Sequence, residues 1–253
     1  MKKLSRTLLI ISLAAVLLGG FFLARELRET AAAKNGFATL AQEVAAARDL
    51  PSGAPDTSDV LPEYAALADN PEWFGWLRVP GTAIDYPVMQ SPSRPDYYLN
   101  HGSDGAPLRS GTPYAEEYNT YDSDNITVYG HRMRAGALFS DLGKYNKKDF
   151  WQQHSIILFD TRTERREYEI LAVFKENVYE TDTFRYWEFS SAITVAEFDE
   201  FAAQCRTRSL YDTGVTTSYG DKLITLSTCD KKSYRLVVVG VWHSAETKTQ
   251  SAR

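Results

Sequence analysis

The chain has 253 residues, a formal net charge of -5 and 43% hydrophobic residues. This length accommodates one medium domain with appendages, and the apolar content excludes global disorder. Proteins that bind nucleic acid usually carry a basic patch, and no basic block occurs beyond the extreme N-terminus, so no nucleic-acid partner is expected. The two cysteines, Cys205 and Cys229, are too few for a disulfide scaffold or a structural zinc site.

The N-terminus has the pattern of a membrane-targeting segment. Residues 1–7 are basic, and residues 8–24 form an uncharged, mostly apolar run of 17 residues. That length is close to the shortest helix that crosses a hydrocarbon core of about 30 Å. We predict a cytoplasmic tail over 1–7, a transmembrane anchor over 8–24, and a single-pass protein of the cell membrane with its bulk outside the cell. A signal peptide cleaved near Ala31–Ala33 is the alternative.

Differences in composition divide the rest of the chain into a stalk with a linker, a folded domain and a tail. Residues 25–61 are predicted to be a helical stalk and linker: residues 25–49, rich in Ala, Glu and Arg, form the helix, and residues 51–59, which contain Pro, Gly and Ser, form the linker. A folded domain is predicted over 62–243, and residues 244–253 form a polar tail. Short apolar runs rich in Tyr, Val and Ile predict a mainly β fold, an antiparallel or mixed barrel. The predicted strands are 76–79, 84–88, 125–129, 155–159, 168–174, 222–228 and 234–242.

One helix is predicted before the last two strands. Thr194 and Glu197 have the spacing of a capping box, in which a threonine and a glutamate satisfy free backbone N–H groups at a helix start. Apolar residues then recur on one helical face, at Phe198, Phe201, Ala202 and Cys205. Cys205 is therefore predicted to be a buried core residue.

Cys229 has a different setting, because it ends an apolar strand and precedes a polar loop. A hairpin symmetric about Lys232 places Cys229 opposite Arg235, with the two side chains on one face about 5 Å apart. Ser227 lies on that face by the period of two. The alternative for Arg235 is an ion pair with a carboxylate at the edge of the sheet.

A thiol that acts as a nucleophile needs a partner for its proton, and histidine is the usual one. His131 is the leading candidate, because it follows the predicted strand 125–129 and a turn glycine. His101 also lies near a strand end. His154 and His243 remain alternatives, since position alone does not decide among the four.

These residues resemble the sortase family. Thr225-Leu-Ser-Thr-Cys229 followed by Arg235 is similar to the TLxTC strand and the downstream arginine of sortases, and Tyr129-Gly-His131-Arg-Met133 is similar to their histidine motif. The similarity extends over about residues 62–243, and the helix before Leu210–Gly214 looks like class B sortases. The resemblance implies an eight-stranded sortase-type β-barrel with N-terminal helices and a helix inserted before the cysteine strand.

The resemblance also implies an activity. Sortases cleave a sorting motif near the C-terminus of a secreted protein and join the new carboxyl end to an amino group of the cell wall or of a pilin, in a Gram-positive type of envelope. By matching position, Cys229 attacks the scissile carbonyl, His131 protonates the leaving amine and Arg235 stabilises the oxyanion. Ser227 and Thr228 are implied to bind substrate. No cofactor or metal is expected, since the histidines and cysteines show no ligand spacing.

Two other functions compete with this interpretation. A papain-like Cys–His peptidoglycan hydrolase usually has its cysteine before its histidine and at a helix N-terminus, whereas His131 precedes Cys229 here. A non-catalytic surface adhesin or pilus subunit is expected to end in its own sorting signal with a hydrophobic tail, and this chain ends in a polar one.

Overall fold

A computed structural model describes residues 2–48, 60–133, 136–230 and 233–243. The predicted linker at 51–59, the hairpin centre at Lys232 and the tail at 244–253 lie outside the described residues. The strands are β1 Trp73–Arg78, β2 Asp85–Met89, β3 Tyr114–Ala115, β4 Asn125–Tyr129, β5 Ile156–Asp160, β6 Arg165–Asn177, β7 Lys222–Cys229 and β8 Tyr234–Trp242. The α-helices are α1 Lys2–Arg48, α2 Lys148–Gln153 and α3 Val195–Arg208, and short 3₁₀ helices cover Pro62–Leu67, Tyr97–Leu99, Phe139–Asn146 and Tyr186–Glu188.

The strands close into one barrel in the order β1-β2-β3-β4-β7-β8-β6-β5, with β5 pairing back onto β1. Two neighbouring pairs are parallel, β2 with β3 and β4 with β7, and the others are antiparallel. The predicted eight-stranded mixed barrel is therefore confirmed. The parallel β4–β7 pair brings the ends of two strands together although they are far apart in the sequence.

The two faces of the sheet are covered differently, as the period of two requires. On β7, Ile224 and Leu226 belong to the core inside the barrel, whereas Leu223 belongs to a second apolar cluster beneath α3. Cys229 and Ser227 share their face with Leu223. The thiol therefore stands at the end of the face that α3 covers.

Helix α3 follows the predicted pattern. Thr194 is its N-cap, and the threonine hydroxyl accepts a hydrogen bond from the Glu197 amide at 3.3 Å. The Glu197 carboxylate accepts from the amide of Ile193, one residue before the cap, at 2.7 Å. The predicted apolar face is buried at Phe198, Phe201, Ala202 and Cys205. The prediction of Cys205 as a core residue is confirmed.

Helix α1 packs its C-terminal part against the barrel. Phe37 and Val44 are buried. Arg48 donates to the Asp160 carboxylate at 2.8 Å, and the buried Tyr64 hydroxyl donates to the same carboxylate at 2.5 Å. These contacts attach the end of the helix to the end of β5.

The prediction of a membrane anchor has to be corrected. Within the described part of the chain, no helix combines the length and apolar character that a membrane span requires. The uncharged run at 8–24 has 17 residues, fewer than the ~20 that a span usually needs. Arg25 and Arg28 follow it in the same continuous helix. The transmembrane anchor, the membrane partner and the single-pass localisation in the cell membrane are therefore wrong.

The N-cap of α3 gives a stability prediction. Thr194→Ala removes the acceptor for the Glu197 amide, and we expect the free energy of unfolding to fall by about 1 kcal/mol. Denaturant titration followed by circular dichroism measures the change. Thr216→Ala, at an exposed threonine in the segment before β7, is the matched control. Equal stability of the two variants would contradict a stabilising cap.

Candidate active site

A cleft of about 450 Å³ lies at the edge of the barrel where β4 and β7 end and β8 begins, beside β3. All five residues predicted for the site contribute to its lining: His131, Ser227, Thr228, Cys229 and Arg235. The cleft also has an acidic part, which the sequence analysis did not identify, made of Asp96, Glu116 and Glu117. The structure therefore brings the predicted residues together.

The hairpin of β7 and β8 sets the position of the thiol and the guanidinium. Cys229 and Arg235 are directly opposed in the antiparallel register, as predicted, and Cys229 is exposed. Opposed residues have Cβ atoms about 5 Å apart on the same face. The two side chains are thus held as neighbours by backbone pairing alone.

No ion pair occupies Arg235 among the described residues. Glu176 on β6 is its register partner on the other side, yet the Glu176 carboxylate pairs with Arg208 at 3.3 Å. The same carboxylate accepts from the Thr183 hydroxyl at 3.0 Å. The alternative prediction, that Arg235 pairs with an edge carboxylate, is therefore not supported, and the guanidinium stays available to the cleft.

His131 reaches the cleft through the parallel pairing of β4 with β7. The Gly130 amide donates to the Ser227 carbonyl at 3.2 Å, and the Thr228 hydroxyl donates to the Gly130 carbonyl at 2.7 Å. Gly130 must be a glycine, because a Cβ there would lie 2.7 Å from the Phe139 ring. The segment that ends in His131 thus runs alongside the segment that ends in Cys229.

A backbone contact orients the imidazole ring. Nε2 of His131 lies 3.0 Å from the carbonyl oxygen of Leu99. A carbonyl oxygen only accepts, so Nε2 carries the proton in this contact, and Nδ1 of a neutral ring is left as an acceptor. The Phe139 amide donates to the His131 carbonyl at 3.0 Å and fixes the backbone.

The other histidines lie away from the cleft. His101 stacks on the Tyr97 ring with centroids 3.8 Å apart. His154 packs against Phe150, and His243 contacts Asp221 beside the start of β7. His131 is the histidine that lines the cleft in the described part of the chain.

The two predicted hydroxyl residues are buried and already hydrogen bonded. Ser227 is 2% exposed and its Oγ lies 2.8 Å from the Tyr186 hydroxyl. Burial raises the pKa of Tyr186 to about 12, which keeps it neutral. Thr228 uses its hydroxyl to hold Gly130. Tyr186 was missed by the sequence analysis, because it lies in the segment between β6 and α3, where only a run of aromatic residues indicates burial.

The acidic part of the cleft is held by tyrosines. The Tyr114 hydroxyl donates to Asp96 at 2.6 Å, and the Tyr129 hydroxyl donates to Glu116. Burial, followed by the neighbouring Glu117, raises the pKa of Glu116 to about 7. In the described residues, no cluster of three or more histidine, cysteine or acidic side chains is placed to hold a metal ion. The cleft thus offers a thiol, an imidazole, a guanidinium and a carboxyl group that titrates near neutrality.

Comparison with known proteins shows to which family a barrel with these groups in its cleft belongs. Residues 77–242 match the sortase domain. Sortase B of Listeria monocytogenes serovar 1/2a is 36% identical over 177 residues, 68% of this chain and 70% of that protein. Sortase B of Staphylococcus aureus is 26% identical over 187 residues, 71% of this chain and 74% of that protein. The chain belongs to the sortase family.

Solved structures agree with this assignment. Sortase B from Bacillus anthracis in complex with AAEK1 superposes with a TM-score of 0.72 at 27% identity, over 85% of this chain and 98% of that chain. A crystal structure of S. aureus sortase B gives a TM-score of 0.73 at 23% identity, over 84% of this chain and 99% of that chain, and shows the shared fold. The predicted similarity to class B sortases is confirmed. The protein is a sortase-type enzyme, and the papain-like alternative is wrong.

The two cysteines are predicted to differ in reactivity. Burial raises the pKa of the Cys205 thiol well above its usual range, whereas Cys229 is exposed. Because the thiolate is the reactive form, iodoacetamide should modify Cys229 in the native protein and Cys205 only after unfolding. Peptide mass spectrometry with and without denaturant measures both sites, and Cys205→Ala is the control for assignment. Native labelling of Cys205 at a rate similar to that of Cys229 would contradict the burial.

Proposed function

We propose that this chain is a cysteine transpeptidase that cleaves a C-terminal sorting motif of secreted proteins through a thioacyl intermediate. The acceptor is an amino group of the cell wall or of a pilin, and the catalytic domain spans residues 62–243. The observation that carries the proposal is the placement of Cys229, His131 and Arg235 in one cleft. Family membership supports the same reaction class.

In the proposed first half-reaction, the Cys229 thiolate attacks the scissile carbonyl and the carbonyl oxygen gains the charge. Arg235, opposed to Cys229 across the hairpin, donates hydrogen bonds to that oxyanion. The protonated His131 gives its proton to the leaving amine when the C–N bond breaks. The product is a thioester between Cys229 and the new carboxyl end.

In the proposed second half-reaction, an amine attacks the thioester and the neutral His131 accepts the proton that the amine loses. The C–S bond breaks, the Cys229 thiolate leaves and a new amide forms. Ser227 and Thr228 are proposed to bind substrate through the surface they contribute to the cleft. Since their hydroxyls are engaged with Tyr186 and Gly130, they support the shape of the cleft more than they offer free donors.

The thioacyl intermediate is the first test. We expect incubation with a panel of sorting-motif peptides to give an acyl adduct on the peptide that contains Cys229, detected by mass spectrometry. Cys205→Ala should form the adduct and Cys229→Ala should not, because only Cys229 lines the cleft. An active Cys229→Ala variant would remove the cysteine mechanism. Absence of any adduct with every peptide, together with retained cleavage, would do the same.

Arg235 gives the second test. If its guanidinium stabilises the oxyanion, Arg235→Ala should lower kcat by about a hundredfold or more with a much smaller change in KM. Arg235→Lys should recover activity only in part, because an ammonium group lacks the planar arrangement of donors. Steady-state cleavage kinetics on folded variants provide the measurement. Arg206→Ala, at an exposed arginine of α3, is the control for a general loss of positive charge. Full activity of Arg235→Ala would exclude its proposed role.

A further inference from the structure

Asp230 directly follows the thiol and is paired on both carboxylate oxygens. Its side chain is 8% exposed, with Oδ1 bound by the Arg132 guanidinium and Oδ2 lying 2.8 Å from the Lys175 ammonium. Burial acts to raise the pKa of this carboxyl, but the hydrogen bonds and charges of Lys175 and Arg132 outweigh it and lower the pKa. The group is therefore ionised at neutral pH and holds both cations.

The two cations belong to the segments that the active site has to align. Arg132 directly follows His131 and forms an isolated antiparallel β-bridge with Leu138. Lys175 lies on β6 opposite Leu236, one residue from Arg235. One carboxylate thus links the end of β7 to the histidine segment and to the strand beside Arg235.

The surroundings of Arg132 are shaped for this contact. A Cβ at position 143 would lie 3.1 Å from its Nη2 atom, so Gly143 leaves the guanidinium the space it occupies. On the other side, the Asp230 amide donates to the Tyr234 carbonyl at 2.9 Å, which closes the β7–β8 hairpin. The glycine thus leaves room for the Arg132 guanidinium, and the hairpin bond fixes the backbone of Asp230.

We propose that Asp230 is a positioning residue, whose carboxylate holds the His131 segment against the thiol end of β7. The need for it follows from the fold. Residues beyond Gly130 and beyond Ser227 have left the β4–β7 ladder, so backbone pairing between these two strands does not fix the separation of His131 and Cys229. Catalysis is sensitive to such separations, since a misplacement of about 1 Å costs up to about a hundredfold in rate. The inference rests on the proposed function of Cys229 and His131.

A double-mutant cycle tests the link. We expect Asp230→Asn and Arg132→Gln each to lower kcat about tenfold, with KM within about twofold, because neither residue lines the cleft. The double variant should be no slower than the slower single variant, since both changes break one contact. Asp230→Glu should recover part of the rate, because it restores the charge.

The control breaks a similar pair at the other end of β7. Lys222 pairs with Asp124 at 2.9 Å, and we expect Asp124→Asn to leave kcat unchanged. If Asp230→Asn does not fold, Arg132→Gln and Arg132→Lys test the same contact from the partly exposed side. Additive losses in the double variant, or kcat within twofold of wild type in both single variants, would overturn the inference. Failure of the proposed function is distinguishable, because the Cys229→Ala variant would then remain active whatever Asp230 does.

Discussion

The parallel pairing of β4 with β7 determines where His131 lies relative to Cys229. About a hundred residues separate the two strands in sequence, and the register runs from Asn125 opposite Leu223 to Tyr129 opposite Ser227. Both strands end at the same edge of the barrel because they are parallel. A slip of one residue between β4 and β7 would place Cys229 on the opposite face of the sheet relative to β4, away from His131. The juxtaposition of the His131 and Cys229 segments therefore depends on a single register.

Buried polar side chains make that register specific. The Thr225 hydroxyl donates to the Asn125 side-chain carbonyl at 2.8 Å across the two strands, and Asn125 is fully buried. An amide buried in this way is costly unless its partners are present, so an altered register would leave these groups unsatisfied. Asn125 also donates to the Phe189 carbonyl at 2.9 Å. The same network thus anchors the segment that carries Tyr186, whose hydroxyl meets Ser227.

The parts of the site that the sequence predicts are those set by local geometry. Cys229 and Arg235 are six positions apart in one hairpin, so strand periodicity alone places them together. The family resemblance added the eighth strand, since β3 has two residues and no periodic pattern can be detected at that length. Contacts between distant segments could not be predicted, such as the Leu99 carbonyl on His131.

The N-terminal prediction failed for a related reason. The prediction of a membrane span at 8–24 is based only on the composition of this run of 17 uncharged residues. Such a run is close to the boundary between a span and a shorter apolar helix, where composition does not discriminate well. In the structure it is the first part of one long helix, whose later part carries Phe37 and Val44 into the core. The mean hydropathy of a short stretch of sequence contains no information about such packing.

The strand order also arranges charge along the cleft. Along the strand order β3, β4, β7, β8, the cleft is lined in turn by Glu116, His131, Cys229 and Arg235. Cations near a thiol favour the thiolate, whereas a nearby carboxylate opposes it. Arg235 lies on β8, the strand next to that of Cys229, whereas β4 lies between Glu116 and the strand of Cys229. Burial raises the pKa of Glu116 to about 7, which lessens the negative charge of this carboxyl near neutral pH.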